Sequence, residues 1–196
     1  MDNTVIEKPL AGYKVLDLTI ARAGPTAVRL LADWGADVIR IEPPVASGPN
    51  SSLSGPHEGS DQQNLHRNKR GLALNLKHPA GAAVFKRMVA KSDIVVENFR
   101  SDVKQRLGIE YEDLKKENPG IILASISGFG QTGPYKHRPG VDQIVQGSSG
   151  LMSVTGAPGG GPMRAGIAVS DTSAGMFLGQ GILLALIHKM KTGEGQ

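Results

Sequence analysis

Asp171 is the residue of this sequence best placed for covalent chemistry. It follows a glycine-rich loop, Gly156 to Gly161, and opens a mostly apolar run that reaches about Lys191. A carboxylate in that position has two readings. As a helix N-cap it accepts hydrogen bonds from the first backbone N–H groups. As a nucleophile it is desolvated by the apolar helix and attacks an activated acyl group, with backbone donors nearby to hold the developing oxyanion. Spacing alone leaves both open. The one dense basic cluster is His66-Arg67-Asn68-Lys69-Arg70. It suits a phosphate-rich small ligand better than nucleic acid, because aromatic residues are only 4% and no stacking platform accompanies it.

Other chemistries lack their residues. The chain has no cysteine, which removes disulfides, thiolate metal sites and a thiol nucleophile. His57, His66, His78, His137 and His188 are not paired at metal-ligand spacing, so no metal is expected. No G-x-S-x-G elbow and no Walker A sequence occurs. The turn Ala21-Arg22-Ala23-Gly24-Pro25 has one glycine where a dinucleotide fingerprint needs three, although Glu42 imitates its ribose-binding acid.

The elements that must position these groups alternate as in an α/β protein. Val15 to Leu18 reads as a strand, Pro25 suits the first position of a helix that Gly35 stops, and Asp37 to Glu42 is a second strand. Pro43 to Gln63 reads as a surface loop and Leu72 to Leu76 as a strand edge. A helix over Pro79 to Lys91, a strand over Asp93 to Val96, a helix over Tyr111 to Glu117 and a strand over Ile121 to Ile126 follow. Val141 to Ser149 should be helical. The last helix should be a central core helix, with Gly175, Gly179 and Gly181 allowing close packing. Its apolar stretch, Ala174 to Ile187, is too short for a membrane span. With 196 residues, 39% apolar and a net charge of +4, one soluble domain is expected, with no nucleic-acid or membrane partner. The N-terminus, MDNTVIEKPLAG, shows no secretory leader, which fits a cytoplasmic location and leaves mitochondrial or peroxisomal ones open. The closing Thr192-Gly193-Glu194-Gly195-Gln196 reads as a turn into a further strand, as in a piece of a longer protein.

Several motifs then occur in a telling order. They are Pro9-Leu10-Ala11-Gly12, Val15-Leu16-Asp17-Leu18-Thr19, Ala23-Gly24-Pro25 and the run from Leu31 to Glu42. Asn68-Lys69-Arg70, Val96-Glu97-Asn98-Phe99, Arg106-Leu107-Gly108, Gly128 to Pro134, Ser149-Gly150-Leu151-Met152 and Lys191 to Gln196 continue the series. In that order they resemble family III CoA-transferases (the CaiB/BaiF type), which include formyl-CoA and carnitine CoA-transferases. The resemblance spans essentially the whole chain and corresponds to the family's N-terminal half. It implies a Rossmann-like parallel sheet flanked by helices. Residues 1–196 would be the N-terminal part of the large domain, with its C-terminal part and the small domain absent, and two chains would interlock as a homodimer.

The resemblance also implies roles. Asp171 matches the catalytic aspartate. Arg22, Ala23, Leu74, Asn75, Lys77, Asn98, Phe99 and Arg106 match CoA contacts, with Leu74, Asn75 and Lys77 on the strand after the basic cluster. Val141 and Asp142 match a segment lining the active site. Coenzyme A and acyl-CoA enter as substrates beside a small carboxylic acid, with no tightly bound cofactor. Arg22 stands where formyl-CoA transferase has glutamine, and Pro43 where it has arginine. A related racemase activity would need a proton-transferring histidine at Val141, which valine cannot replace. A non-catalytic CoA-binding fragment is the other alternative.

Overall fold

The computed structural model describes residues 7–44 and 58–196. The first six residues, and 45–57 of the expected surface loop, lie outside the described residues. Five parallel strands form one sheet: β1 (Lys14–Asp17), β2 (Asp37–Glu42), β3 (Lys69–Ala73), β4 (Ile94–Glu97) and β5 (Ile122–Ser125), in the order β3-β2-β1-β4-β5. The helices are α1 (Ala23–Asp33), α2 (Ser60–His66), α3 (Pro79–Val89), α4 (Ser101–Leu107), α5 (Tyr111–Glu117), α6 (Asp142–Ser148) and α7 (Val169–Thr192). This is the Rossmann-like architecture the sequence implied.

Side chains alternate faces along a strand, and here both faces are covered. Val15, Val38, Ile94, Val96, Ile122 and Ala124 point to one side, where Val28 and Leu31 of α1 and Ile182, Ala185 and Leu186 of α7 pack on them. Leu16, Ile41 and Val95 point to the other, against Phe85 and Val89 of α3 and Leu114 of α5. Burying each of these Val, Leu, Ile and Phe side chains is worth about 1.5–3 kcal/mol. The central pairings set the register, Val15 lying opposite Val38 on β2 and Ile94 on β4.

Three local expectations are corrected. The strand placed at Leu72 to Leu76 begins earlier, at Lys69, because Val38 to Glu42 of β2 pair with Lys69 to Ala73. Leu74, Asn75 and Lys77 therefore follow the strand instead of lying on it. Basic residues can occupy the start of β3 because each has a carboxylate: Lys69 pairs with Asp17 and Arg70 with Asp37. Arg67 in turn pairs with Asp33, so the basic cluster is largely committed to internal partners. The second correction is to the helices: α1 starts at Ala23, two residues before Pro25, α2 occupies the end of the expected loop, and α4, which no local pattern marked, carries Arg106.

The third correction concerns α7. It is not a central core helix. One stripe, Gly175, Gly179, Ile182, Ala185 and Leu186, is buried. Met176, Phe177, Leu184, Ile187 and Met190 are exposed. At 24 residues the whole helix is also long and apolar enough, by length and composition, to cross a membrane, which its apolar stretch alone is not. In the structure its buried stripe lies against α1. Lys189 near its end bonds Asp93 at 2.9 Å, ahead of β4. The chain then turns, and the Gln196 carbonyl accepts from the Leu123 N–H of β5 at 2.9 Å.

Candidate active site

In a parallel sheet the loops leaving the C-terminal ends of the strands share one edge, and ligands favour the point where strand order reverses. Here that point lies between β1 and β4. The two loops are stitched across it by Asn98, whose amide donates to the Ile20 carbonyl at 2.7 Å and accepts from the Ile20 N–H at 2.9 Å. Below Asn98, Glu97 is fully buried and accepts from the Phe99 N–H at 2.7 Å, with the Lys104 ammonium 3.4 Å away. Burial pushes the Glu97 carboxyl up, against Ser125, Lys104 and the Phe99 N–H, which pull it down.

Asp171 lies near the β1–α1 turn of the same edge, close enough for the Arg22 charge to act on it. It lies in the first turn of α7, and the N-cap is Ala168, which makes no side-chain cap. The capping group comes from α6. Asp142 Oδ1 accepts from the Ser170 N–H at 2.9 Å and the Asp171 N–H at 3.3 Å. A helix N-terminus favours such a carboxylate. The capping reading of Asp171 is therefore replaced: a residue 29 positions earlier does that work. No hydrogen bond to the Asp171 side chain is made among the described residues. Gln146 supports the cap. Fully buried, it donates to Asp142 Oδ2 at 2.6 Å and accepts from the Ala165 N–H at 2.9 Å. Sequence reasoning missed Gln146, although Asp and Gln four apart on a helix are natural partners.

Half-burial pushes the Asp171 carboxyl up, the neighbouring Asp142 charge pushes it further, and Arg22 pulls it back. An asparagine at position 142 keeps the Oδ1 acceptor and removes the like charge. Asp142→Asn should therefore lower the Asp171 pKa and move the acid limb of the pH–rate profile to lower pH. An unmoved limb would remove Asp142 from the electrostatics of the site.

Ala23 and Thr26 meet α7 through Gly175. A Cβ added at Gly175 would lie 2.5 Å from the Ala23 carbonyl oxygen and 2.8 Å from Thr26 Cβ. That close approach sets the first turn of α7, one turn before Gly175, over the start of α1. Arg22 pairs with Asp61 of α2.

The structure thus gathers Arg22, Ala23, Val141, Asp142 and Asp171 around the heads of α1, α6 and α7. Val141 is the N-cap of α6 and half exposed. Leu74 and Phe99 share the second apolar cluster. Asn75 closes its own turn by accepting from the Lys77 N–H at 3.0 Å. Arg106 is exposed and pairs with Asp102 one turn back at 3.1 Å. A groove beyond β4 and β5 is lined by Lys104, Ser125, Gln131, Lys136 and His137, which adds cations to this edge.

Fold and site together define a doubly wound α/β protein with a half-buried carboxylate at its ligand edge. The family model for CoA-transferase family III matches residues 10–196, and the chain belongs to that family. A succinate–glutarate CoA-transferase of Agrobacterium fabrum is 46% identical, the match covering 96% of this chain and 49% of that one. An acetyl-CoA:oxalate CoA-transferase of Acetobacter aceti is 44% identical over 95% of this chain and 49% of its own length. A crystal structure of a CaiB/BaiF family protein from Brucella suis superposes with a TM-score of 0.87 at 37% identity, over 97% of this chain and 52% of that one. The chain spans about half the length of the curated relatives it matches.

Proposed function

We propose that this chain supplies the nucleophile and the CoA-facing edge of an acyl-CoA:carboxylate CoA-transferase. The observation that carries the reading is Asp171: a half-buried carboxylate heading a long helix, with the capping duty taken by Asp142. In this reading Asp171 attacks the thioester carbonyl, the C–S bond breaks, and CoA thiolate leaves an acyl-aspartyl anhydride. The thiolate attacks the aspartyl carbonyl and releases the donor acid, which leaves an aspartyl-CoA thioester. The acceptor carboxylate attacks that carbonyl and expels the thiolate again. The thiolate then attacks the acyl carbonyl of the new anhydride, which yields the new acyl-CoA and frees Asp171. Each step exchanges one activated acyl bond for another, so one hard transfer becomes several easier ones.

Arg22 and the α1 head would face the charge that develops near Asp171. Lys77, Arg106 and Lys136 would serve the CoA phosphates. The 196 residues would form the N-terminal part of a large domain, completed by a small domain, in an interlocked cytoplasmic homodimer. Light scattering on the whole gene product should then give twice the chain mass. Relatives named for succinate, glutarate and oxalate make dicarboxylates the first acceptors to try. The test of mechanism is trapping. Incubation with acyl-CoA followed by hydroxylamine should leave a hydroxamate on Asp171, located by peptide mass spectrometry. An adduct elsewhere, or none on an active enzyme, would sink the nucleophile.

A further inference from the structure

Lys69 is buried in β3, a charged side chain that the steps above do not use. Its side chain is 1% exposed, and its ammonium bonds Asp17 Oδ2 at 2.9 Å; Asp17 is itself 0% exposed. The same nitrogen donates to the Pro25 carbonyl at 3.3 Å and lies 3.4 Å from His66 Nδ1. Three directions of one ammonium thus meet the end of β1, the first turn of α1 and the end of α2. Asp17 extends the arrangement. Its Oδ1 accepts from the Thr19 N–H at 2.9 Å and the Thr19 hydroxyl at 2.6 Å. Thr19 seats against α1, where a Cβ added at Gly24 would lie 2.5 Å from Thr19 Cβ. Between them the chain makes a tight turn, with Ala21 at φ 61°. The turn ends in Arg22, whose partner Asp61 belongs to α2, the helix that brings His66 back to Lys69. The contacts form a closed ring around the β1–α1 turn.

We propose that Lys69 is a positioning residue, its ammonium holding the β1–α1 turn so that Arg22 and Ala23 stand where CoA must pass to reach Asp171. The proposal rests on the CoA-transferase reading above. Burying an ion pair contributes little net stability, since an apolar pair of similar size is often as good or better. What an apolar pair does not do is join three segments through one directional group. Burial lowers the Lys69 pKa and Asp17 raises it, burial being the larger effect.

The test uses the whole gene product with Lys69→Met, Asp17→Asn and the double variant. Either single change leaves a buried group without its partner and should lower the melting temperature. The double variant removes both charges, and the amide oxygen of the substituted asparagine still accepts from Thr19. It should melt cooperatively near the wild type yet bind CoA at least about ten-fold more weakly, with KM for acyl-CoA rising in step, as expected for a displaced binding turn. A folded double variant with wild-type CoA affinity, KM and kcat would overturn the proposal. A second readout needs no variant. In ¹⁵N-lysine spectra, saturating CoA should shift the Lys69 ammonium resonance and leave Lys189, which pairs with Asp93, unmoved. An unshifted Lys69 counts against the proposal. Absence of CoA binding by the wild type would instead overturn the CoA reading itself, and this proposal with it.

Discussion

Asp171→Ala should abolish CoA exchange without loosening the fold. Removing a covalent nucleophile costs at least about 10³-fold in turnover, more where no other group can stand in. The stability side is equally specific. A capping aspartate replaced by alanine loses about 1 kcal/mol, but Asp171 is not the cap, because Asp142 holds the first N–H groups of α7. Its carboxyl is pushed up by burial and by Asp142. A carboxyl whose folded pKa lies above its unfolded value contributes stability at low pH and loses it as pH rises through the folded pKa. Near neutral pH the ionised side chain therefore costs stability, and Asp171→Ala should melt at or slightly above the wild-type temperature. Calorimetry beside an exchange assay decides it. An inactive variant that also melts early would mean that Asp171 is structural.

Gly175→Val should damage both stability and activity, where Gly181→Ala should help stability and spare activity. Two effects oppose each other at a helical glycine. Every side chain but proline improves intrinsic helix propensity over glycine, by up to about 1 kcal/mol for alanine. At Gly181 nothing lies within 4 Å of an added Cβ, so propensity wins. At Gly175 the added atom would sit 2.5 Å from the Ala23 carbonyl oxygen, backbone that cannot step aside. Overpacking of this kind costs about 1–3 kcal/mol. It also moves the head of α7 away from α1, and a displacement of about 1 Å at reacting groups can cost about 10²-fold in rate. The melting temperatures of the two variants should therefore move in opposite directions, while kcat falls for Gly175→Val alone. A Gly175→Val enzyme with wild-type kcat would show that the approach of α7 to α1 does not set the site.

Those contrasts mark how far the sequence could be read. The alternation of Val15-Leu16 and of Val95-Val96 gives both faces of the sheet, and the Ala23-Gly24-Pro25 turn gives the head of α1, because these signals are local. The three glycines of α7 look equivalent in sequence; only contact with Ala23 and Thr26 singles out Gly175. The start of β3 is hidden because Lys69 and Arg70 are poor strand residues until Asp17 and Asp37 are placed beside them. The cap of α7 is hidden for the same reason, its donor and acceptor lying on different helices. The order of motifs around Asp171 points to it, and its freedom from capping is visible only in three dimensions.

The strand order has a consequence for how the chain folds. β2 lies beside β1 after a single short crossover, so that ladder can close early. β4 must find the other side of β1, and the Lys14 N–H and the Asp93 carboxylate that meet there are 79 residues apart. The entropy of closing a loop that long is lost before any β1–β4 contact can return it. Docking of β4 therefore carries a large loop-closure cost, and the Asn98 stitch across the ligand edge requires β1 and β4 to lie side by side.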